Sequence, residues 1–476
     1  MSTRNLKGGV ALGSLTAVVA LLAGLSNASA QSAPGAGSFP QSFLVPGTNT
    51  SLAIYGTVKL SASSNWGSQH VTDTSPSGIG NTPFAINGLA LGGPGAPGGN
   101  SVNNQEHALH GGLRGQIKST QVFFETRTPS DLGEIKTVVM FDFGTFGLQA
   151  NYIGRTTSTN SPSSGAGNNE MPRIQFAYGT LGPWLFGQYN SNFVDPLQIN
   201  PDIGDQSQVG PLQTRNIRRP QIRYTYLVGN GLSLSASLET NTYTNLTGNN
   251  TTTLGPIAED STDTGGITNY PSFNAGVSWD QPWGHLMARV GVAEDELRST
   301  TGATVVQGST SLNKRKTGWA IAGGAMINTF GQDQWRGLIA YAQGADTYLT
   351  DMGAAGLINT QTGALSLFHE LALNTSYIHR FSPNWRATAQ FGIGFFNKPS
   401  NAPNSGAFLN VANGTTGAGL AGLEKRHLQS ALSVTYSPVP GRIDIGIEWD
   451  HWDRWVQAAD TAGNGNRYGA HVFFYW

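Results

Sequence analysis

The chain has 476 residues, and its 27 Lys and Arg against 28 Asp and Glu give a formal net charge of −1. This balance excludes a general nucleic-acid-binding protein, which would be basic, and the absence of cysteine excludes disulfides, thiolate metal sites and a cysteine nucleophile. Charged residues make up only 12% and glycine contributes 63 residues, a composition that fits a helical enzyme poorly and favours an all-β protein outside the cytoplasm.

The first 30 residues have the three parts of a secretory signal. Arg4 and Lys7 supply a positive start, an apolar stretch runs from Val10 to Leu25, and Ala28-Ser29-Ala30 has the pattern of a cleavage site. The alternative, a transmembrane anchor, is disfavoured because a helix needs about 20 apolar residues to span a bilayer. We therefore expect a signal peptide at 1–30, a flexible segment rich in Gly, Pro and Ser at 31–50, and the folded domain at 51–476.

Alternation with a period of two begins at Ser51 and recurs to the end of the chain. Between Ser51 and Ser63 the even positions are apolar or Gly, and the odd positions include Thr57 and Lys59, as in a strand with one apolar face. Similar segments predict about sixteen strands. They lie near 51–63, 113–128, 134–143, 173–179, 184–190, 220–228, 232–243, 272–280, 285–296, 317–329, 335–349, 367–381, 385–397, 424–436, 442–452 and 467–476.

The connections between these strands alternate strictly between short ones, rich in turn residues, and long polar ones. An antiparallel sheet with turns at one end and loops at the other gives this pattern. It predicts a 16-stranded antiparallel transmembrane β-barrel with short periplasmic turns and long extracellular loops. No long apolar run follows residue 30, so an exported chain in a membrane must cross it as such a barrel. A soluble β-sandwich or propeller is the alternative, in which loop lengths need not alternate.

The two faces of the strands differ in charge. Near residue 385, Trp385 and Phe391 share an apolar face, while Arg386 and Gln390 share the opposite face. Recurrent charges on one face suit a water-filled lumen, and aromatic residues near strand ends suit interfacial girdles. Alternation alone does not say which face points outward.

The C-terminal segment alternates as well and stops at an aromatic residue. Phe474 and Trp476 lie on its apolar face. Outer-membrane barrels commonly end in this way, and we interpret these two residues as the signal that the barrel-assembly machinery reads.

Five motifs carry a resemblance to a known family. Two short ones are Phe141-Asp-Phe143 and Arg173-Ile-Gln-Phe-Ala-Tyr-Gly179. The longer ones are Thr126-Arg-Thr-Pro-Ser-Asp-Leu-Gly-Glu-Ile-Lys-Thr137, Trp184-Leu-Phe-Gly-Gln-Tyr-Asn-Ser-Asn-Phe-Val-Asp195 and Arg219-Pro-Gln-Ile-Arg-Tyr-Thr225. With them the chain resembles the DcaP-like trimeric porins of Gram-negative outer membranes, which are linked to uptake of dicarboxylic acids. The resemblance implies a homotrimer in contact with outer-membrane lipid and lipopolysaccharide, small anionic solutes, no cofactor, and a third loop at about 191–219 folded into the lumen.

Charged residues of that loop and of the inner strand faces are the candidates for solute selectivity. Acids set against bases across a narrow passage focus an electric field, and Arg binds a carboxylate through two parallel hydrogen bonds. Alternatively, these charges pair and only hold the loop to the wall. The constriction candidates are Asp195, Asp202, Asp205, Arg215, Arg218, Arg219 and Arg223. The pore-lining candidates are Lys59, Arg127, Lys136, Arg173, Arg289 and Arg386.

The expected function is passive diffusion of small hydrophilic solutes through an outer-membrane porin, biased towards anions such as dicarboxylic acids. A general non-specific porin, a barrel enzyme such as a lipase or protease, and a secreted soluble β-rich binding protein or adhesin are the alternatives. An enzyme needs a Ser/His or Asp/His pair at the rim, and the sequence shows no convincing pair. We therefore expect neither catalysis nor a metal site, and no nucleic-acid partner.

Overall fold

The chain forms strands, turns and bends wherever its structure is described. The computed structural model describes residues 35–67, 113–117, 120–145, 171–195, 218–240, 270–299, 312–345, 348–349, 356–359, 365–397, 408–410, 415–416, 424–456 and 462–476. Among these residues there is no helix that is long and apolar enough to cross a membrane.

The described residues form strands that we number β1 to β22 in chain order. Their bounds are β1 Phe43–Leu44, β2 Ser51–Gly67, β3 Leu113–Gln116, β4 Gln121–Ser130, β5 Gly133–Thr145, β6 Met171–Leu181, β7 Trp184–Asn190, β8 Arg218–Gly229, β9 Leu232–Glu239, β10 Ser272–Gln281, β11 Gly284–Ser299, β12 Leu312–Asn328, β13 Gln334–Gln343, β14 Gly356–Asn359, β15 Leu365–Leu367, β16 His369–Arg380, β17 Trp385–Asn397, β18 Phe408–Asn410, β19 Thr415–Thr416, β20 Glu424–Val439, β21 Ile443–Val456 and β22 Ala462–Tyr475.

Within the described ranges, sixteen strands close into one antiparallel barrel. β3 and β4 are two parts of a single barrel strand, and β2 pairs with them on one side and with the last strand, β22, on the other. Every other barrel strand pairs with the barrel strands that come before and after it in the chain; β13 therefore pairs with β16, and β17 with β20. The barrel and the number of strands that the alternation predicts are therefore confirmed.

Glycine is required where the first strand meets the end of the chain. Gly56 and Trp476 exchange two backbone hydrogen bonds, of 3.3 and 3.2 Å. A Cβ atom on Gly56 would lie 2.2 Å from the carbonyl oxygen of Gln121 and 3.1 Å from the Trp476 ring. Only a residue without a side chain fits at this closure.

Some strand ends differ from the sequence prediction. β9 ends at Glu239 rather than near 243, and β13 ends at Gln343 rather than near 349. At the second position Gly344 has a φ of 70° and forms a parallel bridge with Trp319, so the chain leaves the wall there. A small sheet of β14, β15, β18 and β19, each of two to four residues, was also not predicted. Such short strands are too brief to show a period.

The apolar faces of the strands point away from the barrel interior. In β2, Ile54, Val58 and Leu60 are 40%, 47% and 52% exposed, whereas Ser51 and Ser61 on the other face are buried. A soluble barrel would show the reverse arrangement. An apolar exterior around a polar interior is the arrangement of barrels that stand in lipid, and it settles the direction that alternation alone leaves open.

Residues 35–50 make contacts with the start of the barrel. β1 pairs with the first two residues of β2, and the Leu44 N–H donates to the Gly35 carbonyl at 2.8 Å. Phe39 lies against the guanidinium of Arg127, whose Cζ is 4.5 Å from the ring centroid. The predicted signal peptide at 1–30 lies outside the described residues.

Candidate functional site

The connection between β7 and β8, residues 191–217, begins inside the barrel. Its described residues, 191–195, are all buried. The backbone N–H of Asn192 donates to Glu239 Oε1 on β9 at 2.6 Å, and its side-chain Nδ2 donates to the Asn274 carbonyl on β10 at 3.4 Å. The chain therefore leaves the wall at β7 and packs against the inner face of β9 and β10. We call residues 191–195 the inward segment.

Asp195 ties the inward segment to β11. Its Oδ2 lies 2.9 Å from His285 Nε2 and 2.9 Å from Arg289 Nη2. Arg289 also donates to Ser278 Oγ at 2.7 Å, and His285 Nδ1 lies 2.7 Å from Asp280 Oδ1. Because the Asp195 and Arg289 side chains are buried, removal of either would leave a charge that water cannot reach.

An apolar part of the inner wall receives a second connection, the one that follows β13. Tyr348 and Leu349 of this connection are fully buried, and the Tyr348 ring lies 4.5 Å from the ring of Phe193 in the inward segment. The wall beneath them consists mainly of small residues, which leave room for both connections. These wall residues are Met287, Ala293, Ala320, Ala322, Leu338, Ala340, Ala342 and Ala372.

Arg219 is a fully buried constriction candidate. Its Nη1 donates to Ser272 Oγ on β10 at 3.1 Å. Its Cζ lies 5.8 Å from the centroid of the Tyr348 ring, a cation–π distance. With no exposed surface, this guanidinium joins β8, β10 and the second connection instead of facing water.

Arg218 and Arg223 lie at the same strand but are partly exposed. The guanidinium of Arg223 lies 5.6 Å from the Tyr189 ring and donates to the Asn190 carbonyl, where the inward segment departs. The guanidinium of Arg218 lies 5.7 Å from the Phe176 ring. Among the described residues, aromatic rings and not carboxylates lie in direct contact with these two cations and orient them.

Three pore-lining candidates stand on β4, β5 and β6 with charged partners. Arg173 binds Asp142 through two parallel hydrogen bonds of 2.9 and 2.7 Å. Arg127 and Lys136 both contact Glu125 Oε1, at 2.7 and 3.2 Å. Together with two residues of β8 they run along one side of the lumen. We call this set the basic stripe; its members are Arg127, Lys136, Arg173, Arg218 and Arg223.

The other candidates lie elsewhere on the wall. Arg386 binds Asp444 with an Nη2 to Oδ2 distance of 2.8 Å, and the Lys59 ammonium lies 5.1 Å from the Phe473 ring. Both side chains point inward, as their parity in the sequence predicts. Carboxylates on this side are buried; they are Glu370, Asp444, Glu448 and Asp450.

Three constriction candidates, Asp202, Asp205 and Arg215, lie outside the described residues. No cluster of three His, Asp or Glu side chains in the described part of the chain is placed to hold a metal ion. The sequence interpretation missed Phe193, Tyr348 and His285. A signal for the first two was present: the inward face is Ala, Gly and Leu from Gly318 to Gly324 in β12 and from Leu338 to Ala342 in β13, where a wet wall would have polar residues.

Comparisons with known proteins agree with this architecture. The family profile of the Porin subfamily matches residues 39–471. The outer membrane channel DcaP of Acinetobacter baumannii is similar in structure, with a TM-score of 0.61 and 18% identity over 91% of this chain and 99% of that chain. This likeness concerns the fold. No curated protein sequence matches the chain.

Two further solved structures show a weaker similarity. The high-pH structure of Pseudomonas putida OprB has a TM-score of 0.48 and 10% identity, over 89% of this chain and 94% of that chain. In-vitro folded OmpT, an outer membrane protein of Vibrio cholerae, has a TM-score of 0.47 and 9% identity, over 90% and 98%.

Proposed function

The chain belongs to the Porin subfamily, and we propose that its lumen passes small hydrophilic solutes with a bias towards anions, dicarboxylic acids among them. Porins are channels of the bacterial outer membrane that work by passive diffusion, and this protein is such a channel. Selectivity in a pore of this kind comes from its width and from the charges that line it. The proposal therefore concerns the sign of those charges.

The unequal exposure of paired charges supports an anion bias. The side chains of Arg173, Arg127 and Lys136 are 45%, 32% and 29% exposed, whereas their partners Asp142 and Glu125 are 10% and 7% exposed. The cationic groups therefore face the water and the carboxylates lie behind them. A solute that moves along this side of the lumen meets positive charge first.

The balance of charges along the basic stripe has the same sign. Three of its five basic side chains contact three carboxylates, those of Glu125, Asp142 and Glu134, the last at 3.6 Å from Arg127 Nη1. Low-dielectric walls focus such a field into the lumen. A dicarboxylate has two ends that each accept paired hydrogen bonds from guanidinium groups, and the stripe offers four guanidinium groups in succession.

The proposal extends to export and assembly. We infer that residues 1–30 are removed as a signal peptide, that the barrel-assembly machinery recognises the terminal strand, and that the protein forms a homotrimer in contact with lipid and lipopolysaccharide. Outward-facing Phe474 and Trp476, which are 47% and 46% exposed, support recognition of that strand by a partner.

The test of the anion bias is the reversal potential of the refolded mature protein in a planar bilayer across a KCl gradient, followed by addition of succinate. An anion-side potential and a current block by succinate are expected. The preference should shrink in about 1 M salt, where the screening length falls to about 3 Å. A cation-side potential, or none, would overturn the bias and leave a general porin; the absence of current from folded protein would overturn the channel itself.

Replacement of Arg218 and Arg219 by Ala together tests the constriction candidates. We expect the double variant to lose much of the anion preference. Because Arg219 is buried, Arg218→Gln alone separates the charge that faces the lumen from the one that anchors the wall. If neither variant changes the reversal potential, the assignment of these residues is wrong.

A further inference from the structure

His285 joins two carboxylates that belong to different elements. Its Nε2 lies 2.9 Å from Asp195 Oδ2 in the inward segment, and its Nδ1 lies 2.7 Å from Asp280 Oδ1 near the end of β10. The imidazole is only 4% exposed, whereas the Asp280 side chain is 63% exposed. The ring is thus held inside the wall with a carboxylate at each nitrogen.

The protonation state of the ring decides whether both contacts are hydrogen bonds. An ionised carboxylate only accepts, so each contact requires an N–H on the ring. A neutral imidazole has one N–H and would turn a lone pair towards the other carboxylate. The imidazolium has two N–H groups and satisfies Asp195 and Asp280 together.

The charged groups around the ring lead to the same conclusion. Asp195 comes from the inward segment, Asp280 from β10 and Arg289 from β11, and Arg289 donates to the same Asp195 oxygen at 2.9 Å. On β12, the residue paired with His285 is the uncharged Met326. With the ring protonated, two positive groups face two carboxylates; with the ring neutral, one positive group faces two.

We propose that His285 is a positioning residue of the channel, whose imidazolium holds the inward segment against the wall. The width of the pore and the frequency of its partial closures then depend on pH. The inference rests on the proposed function, because the inward segment begins the connection assigned to the constriction. When the proton leaves, one contact breaks. If Nδ1 keeps its hydrogen, Asp195 loses the hydrogen bond from the imidazole and keeps the one from Arg289; if Nε2 keeps it, exposed Asp280 turns to water.

Two measurements on the refolded mature protein test this proposal between about pH 5 and 8, the range in which histidine changes charge. Single-channel currents report the fraction of time spent in partial closures. Nitrogen NMR of the labelled histidine rings in detergent reports which ring nitrogens carry protons, with His285 assigned from the spectrum of His285→Gln. We expect partial closures to become several-fold more frequent as pH rises, at the pH at which His285 loses its proton.

Variants separate positioning from a merely structural role. His285→Gln keeps a donor and an acceptor but has no titrating proton, and we expect it to remove the pH step. Asp280→Asn takes away one stabilising carboxylate and should move the midpoint to lower pH. The matched control is His379→Gln, because His379 also contacts a carboxylate, Asp333 at 2.7 Å, but lies near the end of β16 and faces the turn between β12 and β13; it should keep the wild-type profile.

The outcomes distinguish this proposal from the proposed function. If His285→Gln keeps the wild-type pH step, or if the ring is neutral over the whole range, His285 does not position the segment. If the folded protein carries no current, the channel assignment fails, while the NMR titration of wild type and Asp280→Asn still decides whether an imidazolium bridges the two carboxylates.

Discussion

The rings of Phe193 and Tyr348 lie 4.5 Å apart, although one follows β7 and the other follows β13. Both are buried against small residues of the inner wall. Two connections from distant parts of the chain therefore brace each other inside the barrel. Since the guanidinium of Arg219 lies over the same tyrosine, the side of the lumen at β11 to β13 is occupied by packed side chains.

Phe193→Ala should loosen this contact. Loss of a buried Phe ring costs about 3 kcal/mol of the free energy of unfolding, measured by urea denaturation in detergent, and the freed segment should raise the current noise of single channels. The control is Tyr348→Phe, which keeps the ring and removes only a hydroxyl that donates to the Val292 carbonyl at 3.4 Å; its cost should be about 1 kcal/mol or less. A Phe193→Ala variant with the current noise and the free energy of unfolding of wild type would contradict the bracing role.

Arg219 and Arg218 should have separable effects although they are neighbours in the chain. Arg219→Ala takes away a buried side chain that joins three elements and leaves Ser272 without its donor, so we expect a loss of about 1–3 kcal/mol in the free energy of unfolding. Arg218→Gln should lower the anion preference in the reversal potential and leave that free energy nearly unchanged. The reverse result would show that Arg218 holds the wall and Arg219 acts on solutes.

Gly56→Ala should impair closure of the barrel. The added methyl group would lie 2.2 Å from the Gln121 carbonyl oxygen, so the backbone must shift, at a cost of about 1–3 kcal/mol. The measurement is the yield of the folded, heat-modifiable band on unboiled gels. Gly323→Ala is the matched control, because a Cβ atom there meets nothing nearer than 3.9 Å, and it should fold with wild-type yield.

The turn between β12 and β13 should make the stability of the barrel sensitive to acid. Asp333 accepts hydrogen bonds from the Arg380 backbone N–H at 2.8 Å, from His379 and from Tyr377, and these donors lower the pKa of its carboxyl group, the backbone N–H first. A carboxyl group with a lowered pKa stabilises the folded state above its unfolded pKa, and this contribution is lost as pH falls through the folded pKa.

The variant Asp333→Asn tests this sign. It should be less stable than wild type at neutral pH, and the difference should diminish as the pH falls below the ordinary carboxyl range, in urea unfolding followed over pH. Asp131→Asn, at an exposed position of another short turn, should have the stability of wild type throughout the same pH series. A constant difference between Asp333→Asn and wild type at every pH would show that the carboxylate charge is not involved.

The period of the sequence was sufficient to predict the barrel wall but not what lies within it. Alternation places Arg289 and Arg386 on the inner face, and both are found there. It also extends a strand to 349, which is wrong: Tyr348 and Leu349 are apolar because they pack inside the lumen, after Gly344 has turned the chain off the wall. Whether a face points inward or outward can be assigned only once the closed barrel is known.

Contacts across the lumen have no local signature. Asp195 meets His285 and Arg289 from 90 and 94 residues away, and no spacing rule links such positions. The same holds for Phe193 and Tyr348. Such residues can be suspected only where a strand has small apolar residues on the face that should meet water, as β12 and β13 do.

The pairing of β2 with β22 has a consequence for biogenesis. A sheet whose opening strand bonds to its final one keeps two unpaired edges until β22 has taken its place beside β2. Such a chain matures late and all at once, because its decisive contacts are the most distant in sequence. Until β22 has paired with β2, both edges are open to strands of other chains, so a chain truncated before β22 should aggregate instead of forming a smaller pore.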